Sequence, residues 1–246
     1  MLVGLPATRV CLFLDVDGTL LEFASTPDAV CVDQDLIALI GSAAQVTGGA
    51  VALVSGRPIA DLDRLFAPLR LPAAGVHGYE RRSASGTFHQ QTAIDESLRK
   101  ARQALDEFVS AHHGLLLEDK ETALALHYRG AQHLEELAKA VMVRIARALS
   151  PQYELLEGEA VVEIKPSSHD KATAIEAFLR EPPFKGRVPV YIGDDLTDYD
   201  GFAAVRKHHG HAIAVGDRVS APLHLENPAA VREWLRALVR RADTSS

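Results

Sequence analysis

Three apolar runs along the chain end abruptly in polar residues. Residues 10–14 are followed by Asp15 and Asp17, residues 50–54 by Ser55, and residues 188–192 by Gly193 and Asp194. Continuous apolar runs of this length are typical of strands that are buried on both faces of a parallel sheet. The carboxyl ends of such strands share one edge, and open α/β sheets bind their ligands there. The pattern therefore predicts a ligand site built from the residues that follow the strands.

Helical spacing of apolar residues fills the segments between these runs, so strands and helices alternate. Such alternation predicts an α/β core with a Rossmann-like parallel sheet. Shorter apolar runs at residues 73–76 and 212–215 add further strands. The first of them ends at His77, whose position makes it a candidate phosphate- or substrate-binding residue. The expected helices start at Asp33, at Pro58, near residue 170 with Lys171 in the first turn, at Asp195 or Thr197, and at Asn227-Pro228.

The pattern changes between residues 81 and 166. It predicts a helix over 94–112, a hairpin of strands 115–118 and 122–128, a helix over 134–149, and strands 153–156 and 160–164. The order αββαββ describes an antiparallel sheet backed by two helices. We therefore expect a core domain of residues 1–80 and 167–246 and an inserted α+β domain of residues 81–166. We also expect residues 81–86 to form a polar turn at the first boundary, and residues 19–32 to form a loop or flap over the site.

Composition narrows the possible functions. The chain has 246 residues and a net charge of -7, which argues against a nucleic-acid groove. Its two cysteines cannot build a disulfide framework. The apolar run at residues 10–14 is too short for a signal peptide, and none approaches the ~20 residues of a membrane span. These features predict a soluble, cytoplasmic protein that binds neither nucleic acid nor membrane.

The polar residues at the strand ends predict a metal-assisted phosphoryl site. If Asp15, Asp17 and Asp194 meet at one edge, two charges ~4 Å apart repel by about 4 kcal/mol at an effective dielectric of ~20. A cation is therefore required, and oxygen ligands favour Mg²⁺ over Zn²⁺. One aspartate could attack phosphorus while a second transfers protons. The donors available to an oxyanion or phosphate are Ser55, Gly56, Arg57 and Lys171.

These residues resemble the four motifs of the haloacid dehalogenase (HAD) superfamily of phosphohydrolases. Asp15-Val-Asp17-Gly-Thr is similar to the first motif, Ser55 to the second, Lys171 to the third, and Gly193-Asp194-Asp195 with Asp198 to the fourth. The resemblance implies that Asp15 is the nucleophile and Asp17 the general acid and base. It also implies that Mg²⁺ is held by Asp15, Asp194 and the main-chain carbonyl of Asp17, with Asp195 and Asp198 behind these ligands. The insertion resembles the C2-type α/β cap of the sugar-phosphatase branch.

Within that branch, nearly the whole chain resembles the trehalose-6-phosphate phosphatase family. The resemblance implies that Glu118, Lys120 and Glu163 of the insertion bind sugar hydroxyls, and that Arg129 and Arg57 help to hold the substrate. Ala172 departs from the family pattern, which usually has glycine after the lysine. The segments that carry the resemblance are Ser55-Gly-Arg-Pro58, Gly75-Val-His-Gly-Tyr-Glu80, Leu117-Glu-Asp-Lys120, Leu126-His-Tyr-Arg129, Val162-Glu-Ile-Lys-Pro166 and Gly193-Asp-Asp-Leu-Thr-Asp198.

Other functions remain open at this point. A sucrose-phosphate or mannosyl-3-phosphoglycerate phosphatase would use the same core residues. A phosphomutase would need a second phosphate site, and the insertion shows no added basic cluster for one. A non-catalytic sugar-phosphate sensor would not need the acids, all of which are present. We therefore expect a monomeric enzyme that uses Mg²⁺ and acts on a small sugar phosphate.

Overall fold

The computed structural model describes residues 6–22, 30–90, 96–167 and 170–243. The chain divides into two compact units, the first formed by residues 1–90 and 170–246 and the second by residues 91–169. Across the described ranges, no helix combines the length and the apolar character that crossing a membrane would require.

The described strands and helices are as follows. The strands are β1 (Val10–Leu14), β2 (Val51–Val54), β3 (Ala73–Gly75), β4 (Glu80–Arg82), β5 (Phe88–Gln90), β6 (Leu116–Asp119), β7 (Leu124–His127), β8 (Tyr153–Gly158), β9 (Val161–Pro166), β10 (Val188–Gly193), β11 (His211–Val215) and β12 (Leu223–Leu225). The helices are α1 (Gln34–Val46), α2 (Ile59–Leu65), α3 (Glu96–Ser110), α4 (Glu135–Leu149), α5 (Lys171–Leu179), α6 (Asp198–Lys207) and α7 (Pro228–Asp243).

The first unit is organised around one eight-stranded sheet with the order β12-β11-β10-β1-β2-β3-β4-β5. All neighbours from β12 to β3 are parallel, which confirms the predicted parallel core. From β1 the chain proceeds to β2 and β3 on one side, whereas β10, β11 and β12 extend on the other. The carboxyl ends of β1 and β10 therefore lie at the topological switch point of the sheet, where ligands bind in open α/β folds.

Alternating residues of β1 supply the two faces of this sheet. Leu12 and Leu14 pack with residues of α1, α2 and α7 on one side, while Cys11 and Phe13 pack with residues of α5 and α6 on the other. Burial raises the pKa of the Cys11 thiol to about 12. The thiol is therefore unreactive.

Two of the predicted helix starts are confirmed by side-chain hydrogen bonds. Asp33 accepts the Leu36 backbone N–H at 2.7 Å at the start of α1. Asn227 accepts the Ala230 N–H at 3.0 Å before α7. Of the two predicted starts of α6, Asp195 and Thr197, the structure has Thr197 at the cap position, but the Thr197 side chain makes no cap hydrogen bond.

The second unit is a four-stranded antiparallel sheet with the order β6-β7-β9-β8. Leu124 and Leu126 of β7 and Val162 and Ile164 of β9 pack with the apolar residues of α3 and α4. This arrangement confirms the predicted α+β unit. The opposite side of the sheet carries a group of polar residues that we call the polar face: Glu118, Lys120, His127 and Glu163.

Residues 80–90 depart from the sequence prediction. β4 pairs antiparallel with β3, and β5 pairs antiparallel with β4, so this hairpin extends the core sheet. The first unit consequently continues to residue 90, and the polar turn lies at residues 83–87 rather than 81–86. Strands this short and polar leave no apolar pattern. Arg82 of β4 is buried although it is charged. Its guanidinium can be buried because it donates to both Asp63 oxygens at 2.6 Å and to the Leu71 carbonyl.

Two other segments bear on the predictions. β12 was not predicted, because its three residues Leu223–Leu225 are too few to show periodicity. Residues 23–29, which belong to the expected flap, lie outside the described residues.

Candidate active site

The ends of β1 and β10 bring Asp15 and Asp194 to the same edge of the sheet. The Asp15 backbone N–H donates to the Ile192 carbonyl of β10 at 3.0 Å, and Asp194 follows the last residue of β10. Both carboxylates are buried. Oxygen atoms of Asp15, Asp194 and Asp198 lie within 4.8 Å of one another. Asp15 and Asp194, which the sequence placed at separate strand ends, therefore form one cluster at the switch point, and its third member is Asp198 rather than the expected Asp17.

Lys171 joins this cluster from the first turn of α5. Its ammonium donates to Asp15 Oδ1 at 2.8 Å and to Asp198 Oδ1 at 2.5 Å, and the residue is only 3% exposed. Burial alone would lower the pKa of Lys171, but the charges of Asp15 and Asp198 outweigh burial and raise it. A cation at a helix N-terminus opposes the helix dipole, and these two carboxylates compensate for that misfit.

Asp198 fixes the position of the lysine. Its Oδ1 also accepts the Tyr191 hydroxyl at 2.6 Å, and its Oδ2 accepts the Asp195 backbone N–H at 2.8 Å. The residue is fully buried. Because both oxygens accept bonds from within the protein, Asp198 acts as a support for Lys171 and for the loop that carries Asp194.

The carboxylates of this cluster are held in an unfavourable environment. Burial raises the pKa of Asp15 well above its usual range, with Asp198 and Asp194 adding to the effect and Lys171 opposing it. Burial, together with the charge of Asp198, raises the pKa of Asp194 to about 7, although a hydrogen bond from Thr19 at 2.9 Å lowers it in part. A further cation would relieve this repulsion. Asp15 and Asp194, with no cysteine or histidine beside them, offer the carboxylate oxygens that a hard divalent ion prefers.

Asp17 is oriented by Arg57. The guanidinium donates from Nε to Asp17 Oδ2 and from Nη2 to Oδ1, both at 2.7 Å, in a bidentate pair. Arg57 is buried, whereas Asp17 is 29% exposed. The sequence analysis placed Arg57 near phosphate or sugar, and its contact with Asp17 was not anticipated. Bidentate pairing fixes both the distance and the plane of a carboxylate.

Ser55, Gly56 and His77 lie together beyond β2 and β3. The Ser55 hydroxyl accepts the Arg57 backbone N–H at 3.1 Å, and the Ser55 carbonyl accepts the His77 N–H at 3.1 Å. The imidazole of His77 lies so close to Gly56 that a Cβ there would approach the ring to 2.8 Å. The structure thus brings these three predicted residues together on two neighbouring loops, one after β2 and one after β3.

Arg218 was missed by the sequence analysis. Its guanidinium lies 2.7 Å from Asp195 Oδ1 and 3.5 Å from Asp194 Oδ2. The residue follows β11, the strand next to β10. Its sequence signal is the one that identified the other sites, an apolar strand that ends in polar residues, here Gly216-Asp217-Arg218. Arg218 therefore balances charge on the loop that carries Asp194 and Asp195.

In the second unit, three of the four predicted sugar-binding residues lie on the polar face. Lys120 donates to Glu163 Oε2 at 2.7 Å, and both residues are buried. Glu118 Oε2 lies 2.8 Å from Nε2 of His127. Burial would raise the pKa of Glu118, but the His127 hydrogen bond and the Lys120 charge lower it. The fourth residue, Arg129, donates to the Glu159 carboxylate at 3.1 Å.

The fold and the site define the class of protein. A phosphatase of the HAD superfamily from Bacteroides thetaiotaomicron has the same fold, with a TM-score of 0.64 at 18% identity, over 96% of this chain and 98% of that chain. The fold is also that of a trehalose-6-phosphate phosphatase related protein, with a TM-score of 0.80 at 24% identity, over 96% of this chain and 100% of that one. The chain therefore has the fold of the HAD phosphatases.

The sequence identifies the family within this class. Residues 13–224 match the family described as trehalose-phosphatase, and the chain belongs to that family. It is 40% identical to the trehalose-6-phosphate phosphatase of Escherichia coli K12, over 92% of this chain and 85% of the relative. It is 41% identical to a probable trehalose-phosphate phosphatase of Sinorhizobium fredii, over 85% of this chain and 79% of the relative.

We expect Lys171→Met to destabilise the first unit strongly, because it leaves Asp15 and Asp198 buried without their shared cation. Breaking a buried ion pair from one side costs about 3–5 kcal/mol. Lys207→Met is the matched control, since it removes the exposed pair with Glu176 and should cost less than about 1 kcal/mol. Urea unfolding in EDTA measures both losses. Equal losses would mean that the buried triad contributes no more than a surface pair.

Proposed function

We propose that this chain hydrolyses trehalose 6-phosphate to trehalose and inorganic phosphate. The observation that carries the proposal is the buried arrangement of Asp15, Lys171 and Asp198 at the switch point of the sheet. A carboxylate held by an ammonium group beside further acids suits nucleophilic attack on a phosphoryl group. Membership of the trehalose-phosphatase family supports the choice of substrate.

Asp15 is the proposed nucleophile. Lys171 holds its Oδ1, which leaves Oδ2 to attack phosphorus as the bond from phosphorus to the sugar oxygen breaks. The product of this step is an aspartyl-phosphate and the released sugar. Lys171 and the Ser55 hydroxyl are suited to stabilise the charge on the phosphoryl oxygens. Water then attacks phosphorus, and phosphate leaves while the Asp15 carboxylate is restored.

Asp17 is the proposed general acid and base. It gives a proton to the leaving sugar oxygen in the first step and takes one from the attacking water in the second. Arg57 fixes the Asp17 side chain through two bonds of 2.7 Å. We propose that Arg57 orients the ionised Asp17 carboxylate, the form that takes the proton from the attacking water, and that one of the two bonds opens when Asp17 carries the proton for the leaving sugar oxygen. This role is in addition to its suggested contact with the substrate.

The proposed metal ion is Mg²⁺. Asp15, Asp194 and the main-chain carbonyl of Asp17 would hold it, while Asp195 and Asp198 support these ligands from behind. When bound, the ion would neutralise charge on the carboxylates and on the phosphoryl oxygens. The raised pKa values of Asp15 and Asp194, which burial causes, support the need for such a cation.

The second unit is proposed to recognise the sugar as the family's cap domain. Glu118, Lys120 and Glu163 offer charged hydrogen-bonding groups, which suit the hydroxyls of a neutral disaccharide. Because Lys120 and Glu163 are paired, each is already oriented before a ligand arrives. Arg129 is proposed as a further substrate contact. Action as a monomer in the cytoplasm remains a prediction from the sequence.

Phosphate release from a panel of sugar phosphates tests the proposed function directly. The panel contains trehalose 6-phosphate, sucrose 6-phosphate, mannosyl-3-phosphoglycerate and glucose 6-phosphate, each assayed with Mg²⁺ and with EDTA. We expect trehalose 6-phosphate to have the highest kcat/KM and EDTA to abolish turnover. If another sugar phosphate had a higher kcat/KM, it would be assigned as the substrate in place of trehalose 6-phosphate. Full turnover in EDTA would contradict the metal requirement.

Asp15→Asn should abolish turnover, because an amide cannot form the acyl phosphate and is a poorer metal ligand. Removing a nucleophile costs about 10³-fold or more in kcat. Asp35→Asn, at an exposed position of α1, is the control and should retain wild-type kcat. Steady-state phosphate release measures both. Near wild-type turnover by purified Asp15→Asn protein would rule out the covalent intermediate.

Glu163→Gln should reduce kcat/KM for trehalose 6-phosphate more than for p-nitrophenyl phosphate, which lacks the sugar. Glutamine retains the size of the side chain, and this matters because Lys120 is buried beside it. Loss of a hydrogen bond to a charged group costs about 1.5–3 kcal/mol, or about 10- to 150-fold in rate. Kinetics on both substrates, with circular dichroism as a control for folding, provide the test. An equal loss on both substrates would assign Glu163 a structural role.

A further inference from the structure

His127 contacts Glu118 on the polar face of the second unit. Its Nε2 lies 2.8 Å from Glu118 Oε2, and the two side chains are 22% and 21% exposed. The His127 hydrogen bond and the nearby Lys120 outweigh burial and lower the pKa of Glu118, so the carboxylate is ionised at neutral pH. An ionised carboxylate only accepts hydrogen bonds. The proton of this bond therefore resides on Nε2 of His127.

Strand geometry explains why these two residues meet. Glu118 of β6 lies directly opposite Ala125 of β7, and His127 is two residues further along β7. Residues two apart on a strand point to the same side of a sheet. His127 is therefore a diagonal neighbour of Glu118, a distance that a long or aromatic side chain can bridge.

We propose that His127 is a positioning residue that orients Glu118 for sugar recognition. This inference rests on the proposed function of the chain as a trehalose-6-phosphate phosphatase. By donating to Oε2, His127 restrains the Glu118 side chain and leaves Oε1 as the acceptor for a sugar hydroxyl. Lys120 holds Glu163 in the corresponding way, through Oε2 at 2.7 Å. Each of the two carboxylates is thus oriented by one donor from a neighbouring segment.

Substitution of His127 provides the test. His127→Ala removes the donor, and we expect kcat/KM for trehalose 6-phosphate to fall about ten-fold, the lower end for a hydrogen bond to a charged group. The loss on p-nitrophenyl phosphate should be much smaller. His127→Gln places an amide N–H near the position of Nε2, so it should recover most of the lost rate. His113→Asn, at an exposed position of the same unit, is the matched control and should match wild type on both substrates.

A double-variant cycle separates positioning from a direct contact with the sugar. If His127 acts through Glu118, the variant with Glu118→Gln and His127→Ala should be no slower than Glu118→Gln alone, since contacting residues are not additive. Losses that multiply would show that His127 acts independently of Glu118 and would overturn the inference. Equal losses on both substrates, or a His127→Gln variant as slow as His127→Ala, would also overturn it.

Folding and substrate controls complete the experiment. Circular dichroism and thermal unfolding establish that each variant is folded. His127→Asn, whose amide is too short to reach Glu118, replaces His127→Ala in the cycle if the alanine variant does not fold. The wild-type arm tests the proposed function by itself. If the wild-type protein does not hydrolyse trehalose 6-phosphate, both the proposed function and the role of His127 are overturned. If the wild type is active and the losses of the Glu118 and His127 variants multiply, only the role of His127 is overturned.

Discussion

The buried ammonium of Lys171 is the interaction on which the arrangement of the first unit depends. It bonds Asp15 across 156 residues of sequence and Asp198 across 27. Burying several like charges is costly unless each is paired and hydrogen-bonded. Without the ammonium group, the carboxylates at the ends of β1 and β10 would repel one another inside the protein. The position of α5 is therefore set by the electrostatics of the site as well as by packing.

Contacts of Asp170, the residue before Lys171, fix the point at which the chain returns from the second unit. Asp170 precedes Lys171 and caps α5 by accepting the Thr173 N–H at 2.7 Å. The Asp170 carbonyl packs against Gly78, where a Cβ would lie only 2.3 Å away and where φ is +102°. Only glycine tolerates both conditions. Because the first unit holds residue 170 through its own contacts, the segment inserted before it can change without displacing the lysine.

The sequence predicted those parts of the structure that depend on local pattern. The strands ending at Asp15, Ser55 and Asp194 were identified because each apolar run stops at a polar residue. Asp33 was identified as a helix cap because it directly precedes an apolar pattern with helical spacing. The short strands β4, β5 and β12 were missed, since three residues cannot show a period and, unlike the equally short β3, each of these strands contains at least one polar residue. In the second unit, the alternation of β6 and β7 places Glu118 and His127 on one side, and this signal could have identified the histidine.

Contacts between distant side chains were harder to anticipate. Arg57 pairs with Asp17 across 40 residues, and Arg218 pairs with Asp195 across 23. Neither partner follows from periodicity, because it depends on how far each loop extends beyond its strand. The sequence could show that a cation was needed near the acids. It could not show which of the available arginines would serve each carboxylate.

The two units use paired charges in different ways. In the first unit, Lys171 shares one ammonium between Asp15 and Asp198, and burial still raises the pKa values of Asp15 and Asp194, so the cluster favours an additional cation. On the polar face of the second unit, Glu118 and Glu163 each have a donor of their own in His127 and Lys120. Their orientation is therefore established on folding, and binding need not supply the entropy of ordering them. A neutral sugar gains most from such preformed groups, because it brings no charge with which to orient them.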